Sequence, residues 1–494
     1  MRKQLLTLHR WFGIVGGLWI LVLGFSGLML DHRDDWGWAW RTRVPDTLIP
    51  EHTVEVLKNR HVTLAQANPD DPRNWVVGGP TGVWQSHDDG NSWDTVDFAG
   101  LGVPPMVFAI VVDATRGWER LWLATDDGLW FLDPSGSVAQ RAGLEGRYLT
   151  ALDNGSESGS LVAVENRSTI LRWSEASPTR VDAISTDEVE VFGLPEEVSW
   201  SRFLFDMHLG RSFMNRSWNM LMNDVGAIAM VLLVTGGVLA WYLKRRWRRG
   251  KGPAPGTRRG ILKYLYNFHA PTFGLLVVFP LLYLSFTGVI FDHRGEWMGP
   301  LVRNKIQREF LPDVYDFETL HKEISHVIAY PGQRDKLTIG TRLGVLTTEN
   351  GGDSWQRETG KPVSPGFVWS LKRHGSTLFL GGLGGPSFSR DLDGTNWEMI
   401  PGLMGMPSDA AISDDVWYVI SGPSMFIGDL ESGVSTAPFS LPIQDHKPLM
   451  LLMFELHNGR IIGDWFRWVL DAMAVFLIYM TITGPILWWR RKWA

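Results

Sequence analysis

Four apolar stretches interrupt the chain, at about residues 5–30, 225–243, 262–291 and 465–489. Each holds roughly the 20 apolar residues that a helix needs to cross a bilayer core of about 30 Å, so the pattern predicts four membrane spans. The long segments after the first and third stretches change period. They carry short runs of β-branched and aromatic residues punctuated by Gly, Asp and Asn, the pattern of strands and tight turns. Residues 317–329 read as an amphipathic helix leading into the second of these segments.

The pattern is duplicated. His9-x3-Gly13 opens the first stretch, and Ser26-Gly27 followed by Asp31-His32-Arg33 closes it; His269-x4-Gly274 opens the third, and Thr287-Gly288 followed by Asp292-His293-Arg294 closes it. Phe205-Asp206-Met207-His208-Leu209-Gly210-Arg211 precedes the second stretch, and Phe454-Glu455-Leu456-His457-Asn458-Gly459-Arg460 the fourth. Those two exit through Thr235-Gly236-Gly237 and Thr483-Gly484-Pro485. Two similar halves of like orientation imply a pseudo-twofold along the membrane normal.

Charge sets the direction of the spans. Residues 1–10, 244–263 and 490–492 hold 15 of the 47 Lys+Arg and no acid, leaving 32 basic against 53 acidic residues elsewhere, net −21. The positive-inside rule places those three pieces in the cytoplasm and the segments 31–218 and 292–464 outside. The first stretch is too long for the apolar part of a signal peptide and lacks a convincing cleavage site, so it is expected to stay as an anchor. The expected order is helix 1 (1–30), first periplasmic segment (31–204), pre-helix motif and helix 2 (205–243), basic loop (244–261), helix 3 (262–291), second periplasmic segment (292–453), pre-helix motif and helix 4 (454–489), and tail (490–494). The acidic balance of −6 excludes a general nucleic-acid binder.

The outside segments repeat on a shorter scale. Ser86-x-Asp88-x-Gly90-x-x-Trp93, Thr348-x-Asn350-x-Gly352-x-x-Trp355 and Ser389-x-Asp391-x-x-Gly394-x-x-Trp397 resemble the Asp-box hairpin of sialidase-like β-propellers. Strands with a Gly-rich turn recur near 75–84, 121–130, 337–346 and 378–384, with weaker copies near 161–173 and 416–427. A spacing of about 40–47 residues is that of one four-stranded blade. Three copies fall in each half, and three blades cannot close a ring. The predicted fold is therefore membrane α plus β: a duplicated four-helix transmembrane bundle carrying a periplasmic propeller of about six blades, three from each half, with two separate small β-domains as the alternative. Some of the 26 Trp belong to these hairpins, and Trp36, Trp38, Trp40, Trp488 and Trp489 stand where an interfacial belt is expected. The Asp-box is a structural device, and no arginine triad accompanies it to indicate a glycosidase.

Chemistry is expected at the membrane, where ionisable groups are costly. Six of the 13 histidines occupy matching positions: His9 with His269, His32 with His293, His208 with His457. Twenty-three residues separate His9 from His32, roughly 35 Å as one helix, so the first pair belongs to the cytoplasmic boundary and the other two to the outer one. Imidazoles facing one another in an apolar bundle suit the axial positions of b-type haem. With no Cys in the chain, thiolate zinc, iron–sulfur and c-type haem are excluded. Two haem b groups, one toward each face, are expected, with His9, His269, His208 and His457 as ligands. His32 and His293 are further candidates, although Asp-His-Arg past a helix end is also an ordinary solvated cap.

These motifs resemble the PepSY-associated transmembrane family of bacterial inner-membrane proteins, over roughly 130 residues of the helices. The resemblance implies a haem-containing reductase of ferric siderophores or related periplasmic acceptors, fed by a cytoplasmic or quinone donor, with Arg33, Arg211, Arg294 and Arg460 near the haem propionates. Where typical members carry small PepSY domains, this chain has blades, so the usual acceptor does not transfer. Two other readings stand beside it. One is a membrane-anchored propeller that binds or senses a partner without redox chemistry. The other is copper handling by Met404 and Met406 with His321 and His326, although His-x4-His lacks the i, i+4 spacing of a helical ligand pair.

Overall fold

The computed structural model describes all residues except 1, 215, 250–252, 270–272, 294–300, 302, 359–366, 383–384, 414–415, 423, 430–432, 438–439 and 493–494. Arg294 and the Trp488 side chain therefore lie outside the described residues. The chain divides into a helical unit (1–36, 196–315, 449–494) and a β unit (37–195, 316–448).

In the helical unit, Arg216–Arg248 forms one continuous helix over the second apolar stretch, ending in Arg245, Arg246 and Arg248, where cations suit the negative end of the helix dipole. Arg467–Lys492 covers the fourth stretch. Segments 217–248 and 464–486 are long and apolar enough to cross a membrane, and the first stretch makes a third candidate as two helices, Arg2–Val15 and Gly17–Asp31, bent by 57°. The bend falls at Gly16, where a Cβ would stand 2.7 Å from Met473 Sδ and 3.0 Å from Phe12 O. A straight 35 Å helix between His9 and His32 is thereby corrected. So is a continuous third helix: the described residues of 262–291 are divided among helices Pro255–Asn267, Phe273–Leu276 and Val278–Asp292. The last has 15 residues and reaches only about 22 Å. A Cβ on Gly274 would lie 2.3 Å from His269 O, so only glycine fits there.

Two short helices carry the pre-helix motifs. Trp200–His208 is capped by Ser199, whose hydroxyl accepts Arg202 N, and Leu449–His457 is its counterpart in the second half. Their buried acids are neutralised locally. Arg202 and Tyr315 Oη (2.9 Å) donate to Asp206, and Arg460 donates to Glu455 through Nε (3.0 Å) and Nη2 (2.9 Å).

Among the described residues the β unit has six sheets built on four antiparallel strands in chain order, resembling propeller blades. Three lie within 64–184 and three within 326–436. Their first strands, Leu64–Ala67, Val107–Asp113, Leu149–Asn154, His326–Tyr330, Val368–His374 and Pro407–Ser413, touch in cyclic order, and the sixth meets the first. Two sheets gain a fifth, parallel strand from the preceding chain; one of these, Glu190–Phe192, crosses from the first segment to pair with Ser354–Arg357 of the second. Arg43–Pro45 pairs with His446–Pro448 as another join. Buried carboxylates tie the inner strands. Asp153 accepts Ala329 N (3.0 Å) and the Arg373 guanidinium (2.9 Å); Asp409 accepts Ala65 N (2.9 Å) and Lys372 Nζ (2.6 Å).

The Asp-box hairpins form as the residue types require. Asp88 Oδ1 accepts Ser92 N at 2.9 Å and Gly90 has φ +73°, while Asn350 Oδ1 accepts Ser354 N at 3.1 Å. In the third box the extra residue changes the closure: the Arg390 guanidinium donates to the carbonyls of Asp391, Leu392 and Gly394. An amphipathic helix over 317–329 does not form. Phe317 and Lys322 adopt positive φ (52° and 62°), and His326–Tyr330 is an inner strand whose apolar side chains enter the sheet core.

Candidate functional site

The helical unit brings together two of the three histidine pairs. The His9 and His269 rings are 6.2 Å apart between centroids, and the His208 and His457 rings 6.4 Å. Two imidazoles bound on opposite sides of one metal, each at about 2 Å, have centroids roughly 6 Å apart, so both separations suit a shared axial metal.

Each ring of the second pair is oriented by the opposite half. His457 Nδ1 lies 3.0 Å from Ser26 Oγ, and His208 Nδ1 lies 3.2 Å from Thr287 Oγ1. Those hydroxyls have already donated their single protons to the carbonyls four residues back, Ser26 to Val22 O (2.6 Å) and Thr287 to Tyr283 O (2.9 Å). Each hydroxyl must therefore accept from the histidine, which assigns the proton to Nδ1 and leaves Nε2 with its lone pair, the atom that could ligate a metal. Phe291 stacks on the His208 ring at 5.0 Å and 18°.

Small residues let the rings approach the helices. A Cβ on Gly27 would stand 3.2 Å from His457 Cε1, and one on Gly237 3.2 Å from His269 Cε1. Gly288 is the looser counterpart, 3.8 Å from His208 Cε1. Nδ1 of His9 and of His269 is buried without a hydrogen bond among the described residues. The helical unit also holds an apolar core of Ile20, Ala229, Met230, Val277 and Leu281. Paired neutral imidazoles, an apolar surround and glycine-lined clearances form a donor set that fits b-type haem.

The third pair is placed differently. His32 Nε2 lies 3.1 Å from Asp224 Oδ1, and His293 Nε2 lies 2.6 Å from Asp471 Oδ2. Each imidazole thus engages a carboxylate of a long helix through Nε2 rather than the matching histidine of the other half. The partners Asp224 and Asp471 were not among the sequence candidates. An acid at the mouth of the second apolar stretch and one within the fourth was the signal available. Of the arginines, Arg460 is bound to Glu455, Arg33 lies 3.4 Å from Asp34, and Arg211 N donates to Asp206 O at 2.8 Å. His326 is half-buried in the β unit and hydrogen-bonds Ser325, and neither it nor His321 joins a group with metal-ligand spacing among the described residues.

Several solved structures resemble the chain distantly. YCF48 from Cyanidioschyzon merolae is 11% identical, with 80% of this chain and 88% of that one covered, at a TM-score of 0.34. An ancestral GH74 enzyme is 10% identical, with 75% and 36% covered, at 0.34, and U3-55K is 8% identical, with 74% and 76% covered, also at 0.34. The chain thus spans about a third of the GH74 enzyme's length, and likenesses this weak bear on neither activity nor partners. No curated protein matches. The family comparison is of another order, since residues 6–491 match as one unit, and the chain belongs to the PepSY-associated TM region family.

Proposed function

We propose that this membrane protein is a b-haem oxidoreductase of the bacterial inner membrane, moving electrons from a cytoplasmic or quinone donor to a periplasmic acceptor, with ferric iron or a ferric siderophore as the leading class. The observation that carries the reading is the two imidazole couples, with ring centroids 6.2 and 6.4 Å apart, built from matching positions of the two halves. His9 and His269 would hold one haem, and His208 and His457 the other. Haem bound in this way supplies a one-electron couple.

The protein's own residues do the rest. Ser26 and Thr287 hold the Nδ1 protons of His457 and His208, so each ring presents a lone pair without rotating. Glycines beside the rings let the imidazoles seat close against the helices, and an apolar core of Ile20, Ala229, Met230, Val277 and Leu281 lies in the same unit. Four spans, with the bent first stretch and the broken third each counted as one, keep both termini and the basic 244–261 loop in the cytoplasm under the positive-inside rule. The six blades then form one periplasmic propeller, supported by the cyclic contacts of their inner strands.

Proteoliposomes test the activity. With a reduced quinone in the bilayer and a ferric chelate outside, ferrous iron should appear in an external colorimetric trap, faster than in liposomes carrying the His9→Ala, His457→Ala double variant. Equal rates would remove the reductase reading and leave a membrane-anchored binding or sensory protein.

A further inference from the structure

We infer that Asp292, His293 and Asp471 form a binding site for a divalent first-row transition-metal cation, distinct from the two imidazole couples. One ligand atom from each of the three lies within 4.8 Å of the others, and no other group of three or more His, Cys, Asp or Glu among the described residues reaches that spacing. His293 is buried, with 7% of its surface exposed. A second observation points to a ligand: Asp292 Oδ2 is buried with no hydrogen-bond partner among the described residues. A buried carboxylate oxygen without a donor costs free energy unless something positive meets it.

The charge and chemistry specify the class. Two carboxylates and a neutral imidazole sum to −2, which a divalent ion balances. Mixed oxygen and nitrogen donors suit Mn2+, Fe2+ or Zn2+, and three protein ligands leave positions for water. Arg467 and Arg460 both act on Asp292 from a distance, and Arg460 is already committed to Glu455, so neither supplies a hydrogen bond to Asp292 Oδ2. The site adjoins the outer imidazole couple, since Asp292 follows Phe291, whose ring stacks on His208.

The equivalent trio in the first half is closed. His32 Nε2 sits symmetrically on Asp224, 3.1 and 3.2 Å from its two oxygens, and Asp35 approaches the other ring nitrogen at 3.7 Å. Duplication therefore supplies an internal control, because Asp31, His32 and Asp224 repeat the three residue types in the first half without reaching that ligand spacing among the described residues.

The test uses the full-length protein in detergent, stripped of metal and titrated with Mn2+ while free Mn2+ is followed by its solution electron paramagnetic resonance signal. One tight equivalent per chain is expected in the wild type. Asp292→Asn, which leaves the His293–Asp471 contact in place, should weaken it by about tenfold or more, as should Asp471→Asn, whereas Asp224→Asn should not change it. Thermal melts of each variant check folding. Wild-type protein that takes up no Mn2+ below millimolar concentration, or an Asp292→Asn protein that binds like wild type, overturns the assignment. The readout does not involve haem absorbance, so the site and the haem reading can fail separately.

Discussion

His457 Nδ1 lies 3.0 Å from Ser26 Oγ, a hydroxyl whose proton is already given to Val22 O. One bond thus joins the last quarter of the chain to the helix Gly17–Asp31 and fixes which nitrogen of the histidine keeps its lone pair. Ser26→Ala removes the acceptor while keeping the helix. It should lower the affinity for added haem at the His208/His457 couple by about 10–100-fold. Haem titration of the apoprotein reads this, and Thr287→Ala should act the same way through His208. Unchanged affinity in both would mean that the hydroxyls merely satisfy the rings.

The glycine clearances give a graded series. Gly27→Val places branched carbons where 3.2 Å separates a bare Cβ from His457 Cε1, and overpacking of this kind costs about 1–3 kcal/mol. Gly484→Ala meets nothing within 4 Å and should be neutral. Paired thermal melts and haem contents distinguish the two positions; a Gly484→Ala defect as large as that of Gly27→Val would contradict the packing assigned here.

In the β unit, Asp153 and Arg373 form a buried ion pair across inner strands, with 5% and 9% of their side chains exposed. Asp153→Ala strands the guanidinium and leaves Ala329 N without its acceptor, a loss expected at about 3–5 kcal/mol. The double variant Asp153→Ala, Arg373→Met should recover part of that loss. Denaturant unfolding followed by tryptophan fluorescence measures both, and a double variant worse than the single one would show that the charge pair is not the cause.

Acid should loosen the same unit. Burial, reinforced by neighbouring cations, holds His61, His326 and His374 near a pKa of about 3, against an ordinary 6.5. Because the folded values are depressed, the neutral rings contribute stability that is complete above about pH 6.5 and declines as pH falls toward 3. At pH 5 each histidine should cost about 2 kcal/mol relative to pH 8. His374 Nε2 donates to Ala410 O at 2.8 Å, so His374→Gln should flatten part of the slope of Tm against pH. A slope identical to wild type would assign the acid sensitivity elsewhere.

Much of this was legible in the sequence because duplication and hairpin chemistry leave local marks. Ser86, Asp88, Gly90 and Trp93 announce a turn whose hydrogen bonds are all within a few residues, and the six sheets follow from its spacing. The imidazole couples were legible from matched positions alone. Breaks in the apolar stretches were not, because hydropathy runs unchanged through Gly16 and Gly274 and the bend depends on what packs there, Met473 in one case and the His269 carbonyl in the other. The partners of His32 and His293 were hidden for a related reason: Asp224 and Asp471 lie 192 and 178 residues away in the chain. Strand His326–Tyr330 was misread as helix because an inner strand buried on both faces shows no alternation.

The central claim is best tested by the visible spectrum of detergent-purified protein, expressed with adequate haem, before and after dithionite. A sharp reduced α-band is predicted in the wild type, with one component lost in His9→Ala and a different one in His457→Ala. A colourless protein, or an α-band that survives both substitutions unchanged, would contradict it.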